Sequence, residues 1–126
     1  MLFIINTDCE AEHELRSLNE LEWAINRLNI EPGAFLWVES KPSIGEVTYM
    51  QAAYIQKTKG LFKKKIVASY YQVEVQEEKP NGDLVQHFFN TEDQADVLRI
   101  FCDFFESSRI PDLSQWENEL FYKAEK

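Results

Sequence analysis

The chain is poor in cysteine, glycine, proline and long apolar runs, and each shortage excludes something. Its two cysteines, Cys9 and Cys102, lie far apart and cannot form a disulfide framework. They read as reduced thiols, so a cytoplasmic address is expected. The longest apolar stretches, such as Ala34 to Val38, fall far below the ~20 residues that cross a bilayer. The opening Met1-Leu-Phe-Ile-Ile5 has neither the charged leader nor the apolar length of a secretory signal, and it reads as a first strand. No internal repeat or low-complexity tract interrupts the chain. With 4 Gly, 4 Pro and 13% aromatic residues, the composition is not that of a disordered segment.

What is present fits one α+β domain over residues 1–126. A chain of this length buries roughly two-thirds of the surface it exposes unfolded, enough for a core without staples. The net charge is −9 and unevenly spread. Residues 1–56 hold nine acids and three bases, residues 74–126 thirteen acids and five bases, and residues 57–73 five lysines and no acid. A negative field repels nucleic acid and anionic membrane and speeds encounter with basic partners. The same charge also serves solubility alone.

Ser17-Leu-Asn-Glu20 has the form of a capping box. Leu18, Leu21, Ile25 and Leu28 follow at helical spacing, and Pro32-Gly33 stops the helix. Ala34 to Glu39 reads as a buried strand that includes Trp37. Glu46 to Gln56 is a longer strand, with Val47, Tyr49, Ala53 and Ile55 in one alternating set. Lys57 to Lys65 reads as a solvated basic loop around Leu61 and Phe62, mobile and dispensable for folding. From Ile66 to Glu77, Tyr71, Val73 and Val75 alternate with Gln72, Glu74 and Gln76, the pattern of an antiparallel strand with one solvated face. Pro80-Asn-Gly82 makes a hairpin turn into Leu84 to Phe89. Thr91-Glu-Asp-Gln94 reads as a second capping box before a helix from Ala95 to Ser107, whose Asp96, Arg99, Asp103 and Glu106 lie opposite its apolar side. A short last helix is expected from Ser114 through Trp116 and Glu117. The order β-α-β-β-β-β-α-α predicts an antiparallel meander with helices packed on one face.

Chemistry-bearing patterns are scarce. Cys9 and His13 have Cys-x3-His spacing amid acids, but a zinc site needs about four ligands and only one pair is present. Cys9 or Cys102 with His13 or His87 could form a nucleophile pair. Cys102, however, lies among apolar residues and reads as a small buried hydrophobe, and His87 as an ordinary solvated or hydrogen-bonded strand histidine. There is no P-loop, dinucleotide-binding turn or nucleophile elbow. Neither a catalytic residue nor a metal or other cofactor is expected. The Lys57–Lys65 run is short for a nucleic-acid site within so acidic a chain.

Residues Leu18 to Leu28, Phe35-Leu-Trp-Val-Glu39, Met50-Gln-Ala-Ala53 and Tyr71-Gln-Val-Glu-Val75 set an order of elements. Phe88-Phe89 leading into Thr91 and a helix, then Pro111 before Trp116, complete it. Across about residues 15–119 this order resembles the immunity proteins of bacterial polymorphic toxins, including contact-dependent growth inhibition systems. The Lys63-Lys-Lys65 run departs from that pattern. The resemblance implies a non-catalytic inhibitor that binds a cognate toxin domain; charge and the short apolar runs predict neither nucleic acid nor membrane as a partner, and a monomer or weak dimer is expected. Many such toxins present basic substrate clefts, which an acidic partner can occupy with steering from charge. Two acidic surfaces are predicted to bind: Asp96, Asp103 and Glu106 on the second helix, and Glu74, Glu77 and Glu78 at a strand end. Trp116 is the candidate apolar anchor, with pinning of the last segment to the core as its other role. The alternative class is a small enzyme or a regulatory ligand-binding α+β domain.

Overall fold

A computed structural model describes residues 1–125. Seven strands form one antiparallel sheet: β1 (Leu2–Thr7), β2 (His13–Glu14), β3 (Phe35–Lys41), β4 (Val47–Lys59), β5 (Lys65–Glu78), β6 (Leu84–Thr91) and β7 (Glu117–Tyr122). Helices α1 (Leu18–Arg27) and α2 (Gln94–Ser107) complete the α+β fold. The strand order is β2-β1-β3-β4-β5-β6-β7, so the sheet is a meander from β3 onward, with α1 in the connection from β2 to β3.

Residues paired across antiparallel strands share a face, and this rule divides the sheet. Phe3 and Ile5, Leu36 and Val38, Met50 and Ala52, and Tyr71, Val73 and Val75 share one face through the registers β1–β3–β4–β5. The helices bury that face: Leu21, Ala24 and Ile25 of α1 and Val97, Phe101 and Phe104 of α2 join the same core. Phe3 is held edge-on between Phe104 and Phe105, at centroid distances of 5.4 and 5.3 Å. The predicted alternation of β5 and the apolar stripes of both helices therefore appear as read.

Several local expectations are corrected. The alternating set Val47, Tyr49, Ala53 and Ile55 is split by a bulge between Val47 and Tyr49. An extra residue inverts every later side chain, so Val47, Met50 and Ala52 face the helices while Tyr49 turns away. Trp37, expected in the buried strand, alternates with Leu36 and Val38 onto the helix-free face and stacks on Tyr49 at 3.7 Å. Ser17 is the N-cap of α1 but its side chain makes no capping bond; the Glu20 carboxylate instead lies 3.4 Å from His13 Nε2. At α2 the cap is Asp93, which accepts from the Ala95 N–H, while Thr91 accepts from the Asp93 N–H and donates to Asp96 at 2.6 Å.

The larger correction lies at the carboxyl end. The last helix is only a 3-10 turn, Leu113–Gln115, capped by Asp112, and the chain continues as β7. Pairing with β7 satisfies peptide groups along the edge of β6, and Leu120, Phe121 and Tyr122 suit an extended chain better than their acidic neighbours indicate. His87 on β6 is buried and hydrogen-bonded to Glu77, the second of the two roles expected for it. The turn Lys79–Gly82 does form as predicted, with Gly82 at φ +92°.

The expected loop Lys57–Lys65 is shorter than read: Lys57, Thr58, Lys59 and Lys65 are strand, and Gly60 to Lys64 form the loop between them. β4 runs to Lys59 and β5 starts at Lys65, while β3 last pairs with β4 at Ala53 and β6 last pairs with β5 at Tyr71. Beyond these points β4 and β5 continue alone as a two-stranded arm.

Candidate functional site

Helix α1 brings its late residue Asn26 to Gln94 at the start of α2, where the two amides hydrogen-bond. Further along, Glu22 of α1 lies near Cys102 of α2. Burial pushes the Cys102 thiol up, and the carboxylates of Glu106, Glu22 and Asp103 raise it further. The helices thus run antiparallel and expose a shared layer carrying three carboxylates. None of the three takes part in an ion pair among the described residues.

Next to Glu22, Trp23 is 44% exposed on α1. The Arg27 guanidinium stands 5.0 Å from its ring centroid and is itself held by Asp8, whose two oxygens accept from Nη1 and Nη2 at 3.1 Å each. Asp8 also accepts from the Phe35 N–H at 3.3 Å, tying the end of β1 to α1 and β3. The hydrogen bond from Arg27 holds the Asp8 carboxyl below its ordinary range. Trp23 is therefore an exposed aromatic on a braced platform, directly after Glu22 in α1 and one turn before Asn26.

The predicted site residues fall in different places. Asp103 and Glu106 belong to this helical layer. Asp96 shares their stripe but is occupied by Thr91 and by Arg99, 3.2 Å away. Glu74, Glu77 and Glu78 do not form one surface, because alternation sends Glu74 and Glu77 to opposite faces of β5. Glu74 accepts from Gln51 Nε2 at 2.7 Å and Gln86 Nε2 at 3.2 Å, and Gln86 also reaches the Tyr49 hydroxyl. Glu77 lies 2.6 Å from His87 Nε2 and 3.2 Å from Lys79 Nζ. Glu78 is exposed. Trp116 stacks on Phe89 at 5.2 Å and closes a cleft of about 280 Å³ with Ile100, Asp103 and Pro111.

Cys9 and His13 each have another hydrogen-bond partner. Cys9 Sγ is 3.8 Å from the Thr7 hydroxyl, and His13 Nδ1 is 2.8 Å from the Ala11 carbonyl oxygen. That carbonyl and the nearby Glu20 raise the His13 pKa. Among the described residues, no three His, Cys, Asp or Glu side chains cluster as metal ligands. No described helix is long and apolar enough to cross a membrane.

Glu22 and Trp23 were not singled out as site residues. Their only sequence signal is a position just off the apolar stripe of α1; their joining to Asp103 and Glu106 follows from helix pairing. Comparison with known proteins finds no matching family model, curated protein or solved structure.

Proposed function

We propose that this chain is a cytoplasmic, immunity-type binding protein that neutralises a toxin domain by covering a basic surface with its helical layer. The observation that carries this reading is the group Glu22, Asp103 and Glu106 around Cys102, three carboxylates without cation partners among the described residues, with the exposed Trp23 next to Glu22 on α1. Most other acids predicted to bind are engaged within the chain, and engaged carboxylates are poorer ligands for a second protein. Free ones steer a basic partner during encounter, and an aromatic such as Trp23, bordered by charge, supplies the apolar contact that slows dissociation. Inhibition by coverage needs no catalytic group or cofactor.

The test is co-expression with a basic carboxy-terminal toxin domain encoded in the neighbouring reading frame. Wild-type protein is expected to co-purify with that domain and protect cells from it. The triple substitution Glu22→Lys, Asp103→Lys, Glu106→Lys is expected to abolish both while leaving the fold intact. Retained protection by the folded triple variant refutes the assignment of the surface.

A further inference from the structure

The β4–β5 arm has no role in the binding reading. From the last pairings with β3 and β6, at Ala53 and Tyr71, each strand runs six residues to Lys59 or Lys65, about 20 Å at strand rise. At its end Gly60 adopts φ +118°, and a side chain there would meet the Lys63 carbonyl oxygen. That turn holds Leu61 and Phe62 outermost, 93% and 98% exposed. Around them stand Lys59, Lys63, Lys64 and Lys65, with Lys59 directly opposite Lys65 in the register, so that Lys63 flanks Phe62 as Leu61 does. Like charges directly opposite each other destabilise a strand pair. None of these lysines takes part in an ion pair among the described residues. Ile66 and Val67, half exposed, continue the apolar surface down the arm.

We propose that this arm docks tip-first on an anionic phospholipid surface, placing Leu61 and Phe62 at the acyl boundary and the lysines among the headgroup phosphates. The composition of the tip supports lipid over nucleic acid: two large, almost fully exposed apolar side chains gain by leaving water for an acyl boundary, while the long flanking lysines reach the headgroup phosphates above it. A nucleic-acid backbone offers phosphates to the lysines but no apolar layer to Leu61 and Phe62. Arm-to-arm pairing with a second copy would crowd five lysines against five. The acidic body does not oppose docking, because about 20 Å exceeds two Debye lengths of about 8 Å at physiological salt.

Co-sedimentation of the full chain with vesicles of phosphatidylcholine and phosphatidylserine, two to one, tests this directly. Wild-type protein is expected to sediment with these vesicles and not with pure phosphatidylcholine. Replacing Lys59, Lys63, Lys64 and Lys65 by Gln is expected to weaken partitioning by roughly fivefold per lysine. Leu61→Ser with Phe62→Ser is expected to weaken it by at least about tenfold. All these side chains are exposed, so unchanged melting curves verify the fold of each variant. No wild-type sedimentation, equal sedimentation with pure phosphatidylcholine, or undiminished sedimentation of either variant overturns the proposal. Tighter binding of a generic oligonucleotide than of the mixed vesicles overturns it in favour of nucleic acid.

Discussion

Replacing Asp8 by Asn tests how the helical layer is braced. Asp8 receives both Arg27 nitrogens and the Phe35 N–H, and the Arg27 and Asp8 side chains are 18% and 22% exposed. An exposed ion pair is worth about 0–1 kcal/mol and a hydrogen bond to a charged group about 1.5–3. This partly shielded fork falls between them, so Asp8→Asn should cost about 1–2 kcal/mol at neutral pH, a melting shift of roughly 3–6 °C. Its pH dependence is the sharper test. The folded-state pKa of Asp8 lies below its ordinary value of 3.8, chiefly through the Arg27 hydrogen bond. Its stabilisation is therefore complete well above 3.8 and is lost as pH falls through the folded-state value. Urea titrations of both proteins should differ at pH values near neutrality and converge in acid, where protonated Asp8 resembles Asn. A difference that persists unchanged in acid, or none at neutral pH, refutes the brace.

Two further substitutions separate packing from binding. Phe104→Ala removes a fully buried ring set edge-on to Phe3 and should cost about 3–5 kcal/mol in urea unfolding; a loss below about 1 kcal/mol would contradict the described core. Trp116→Ala removes the stack on Phe89 and should cost about 2 kcal/mol with partner affinity kept, whereas lost affinity at unchanged stability would make Trp116 an anchor.

Much of the fold was legible because its signals are local. The alternation of Tyr71, Val73 and Val75 and the spacing of Leu21, Ile25 and Leu28 each depend on one burial interface, and each appears in the structure. The turn Lys79–Gly82 was equally legible, since Pro80 and Gly82 carry their backbone preferences with them. Signals failed where the deciding partner is distant in sequence. The bulge after Val47 is a matter of β4–β5 register, and β7 forms by pairing with β6, a distant stretch of the chain. Glu20 left its capping role for His13, a contact set by how β2 meets α1. The candidate site was legible only in part. Asp103 and Glu106 follow from helical period, but Glu22 joins them through helix pairing and Glu74 is withdrawn by Gln51 and Gln86.

The central claim is that Glu22, Asp103 and Glu106 steer a basic toxin domain onto the helical layer. Stopped-flow association with that domain at increasing salt measures steering directly. The Debye length falls from about 10 Å at 0.1 M to about 3 Å at 1 M. The wild-type association rate should therefore fall steeply with salt, while the rate for the Glu22→Lys, Asp103→Lys, Glu106→Lys variant should be at least about tenfold lower at low salt. Equal rates and equal salt dependence for the two proteins would contradict the account.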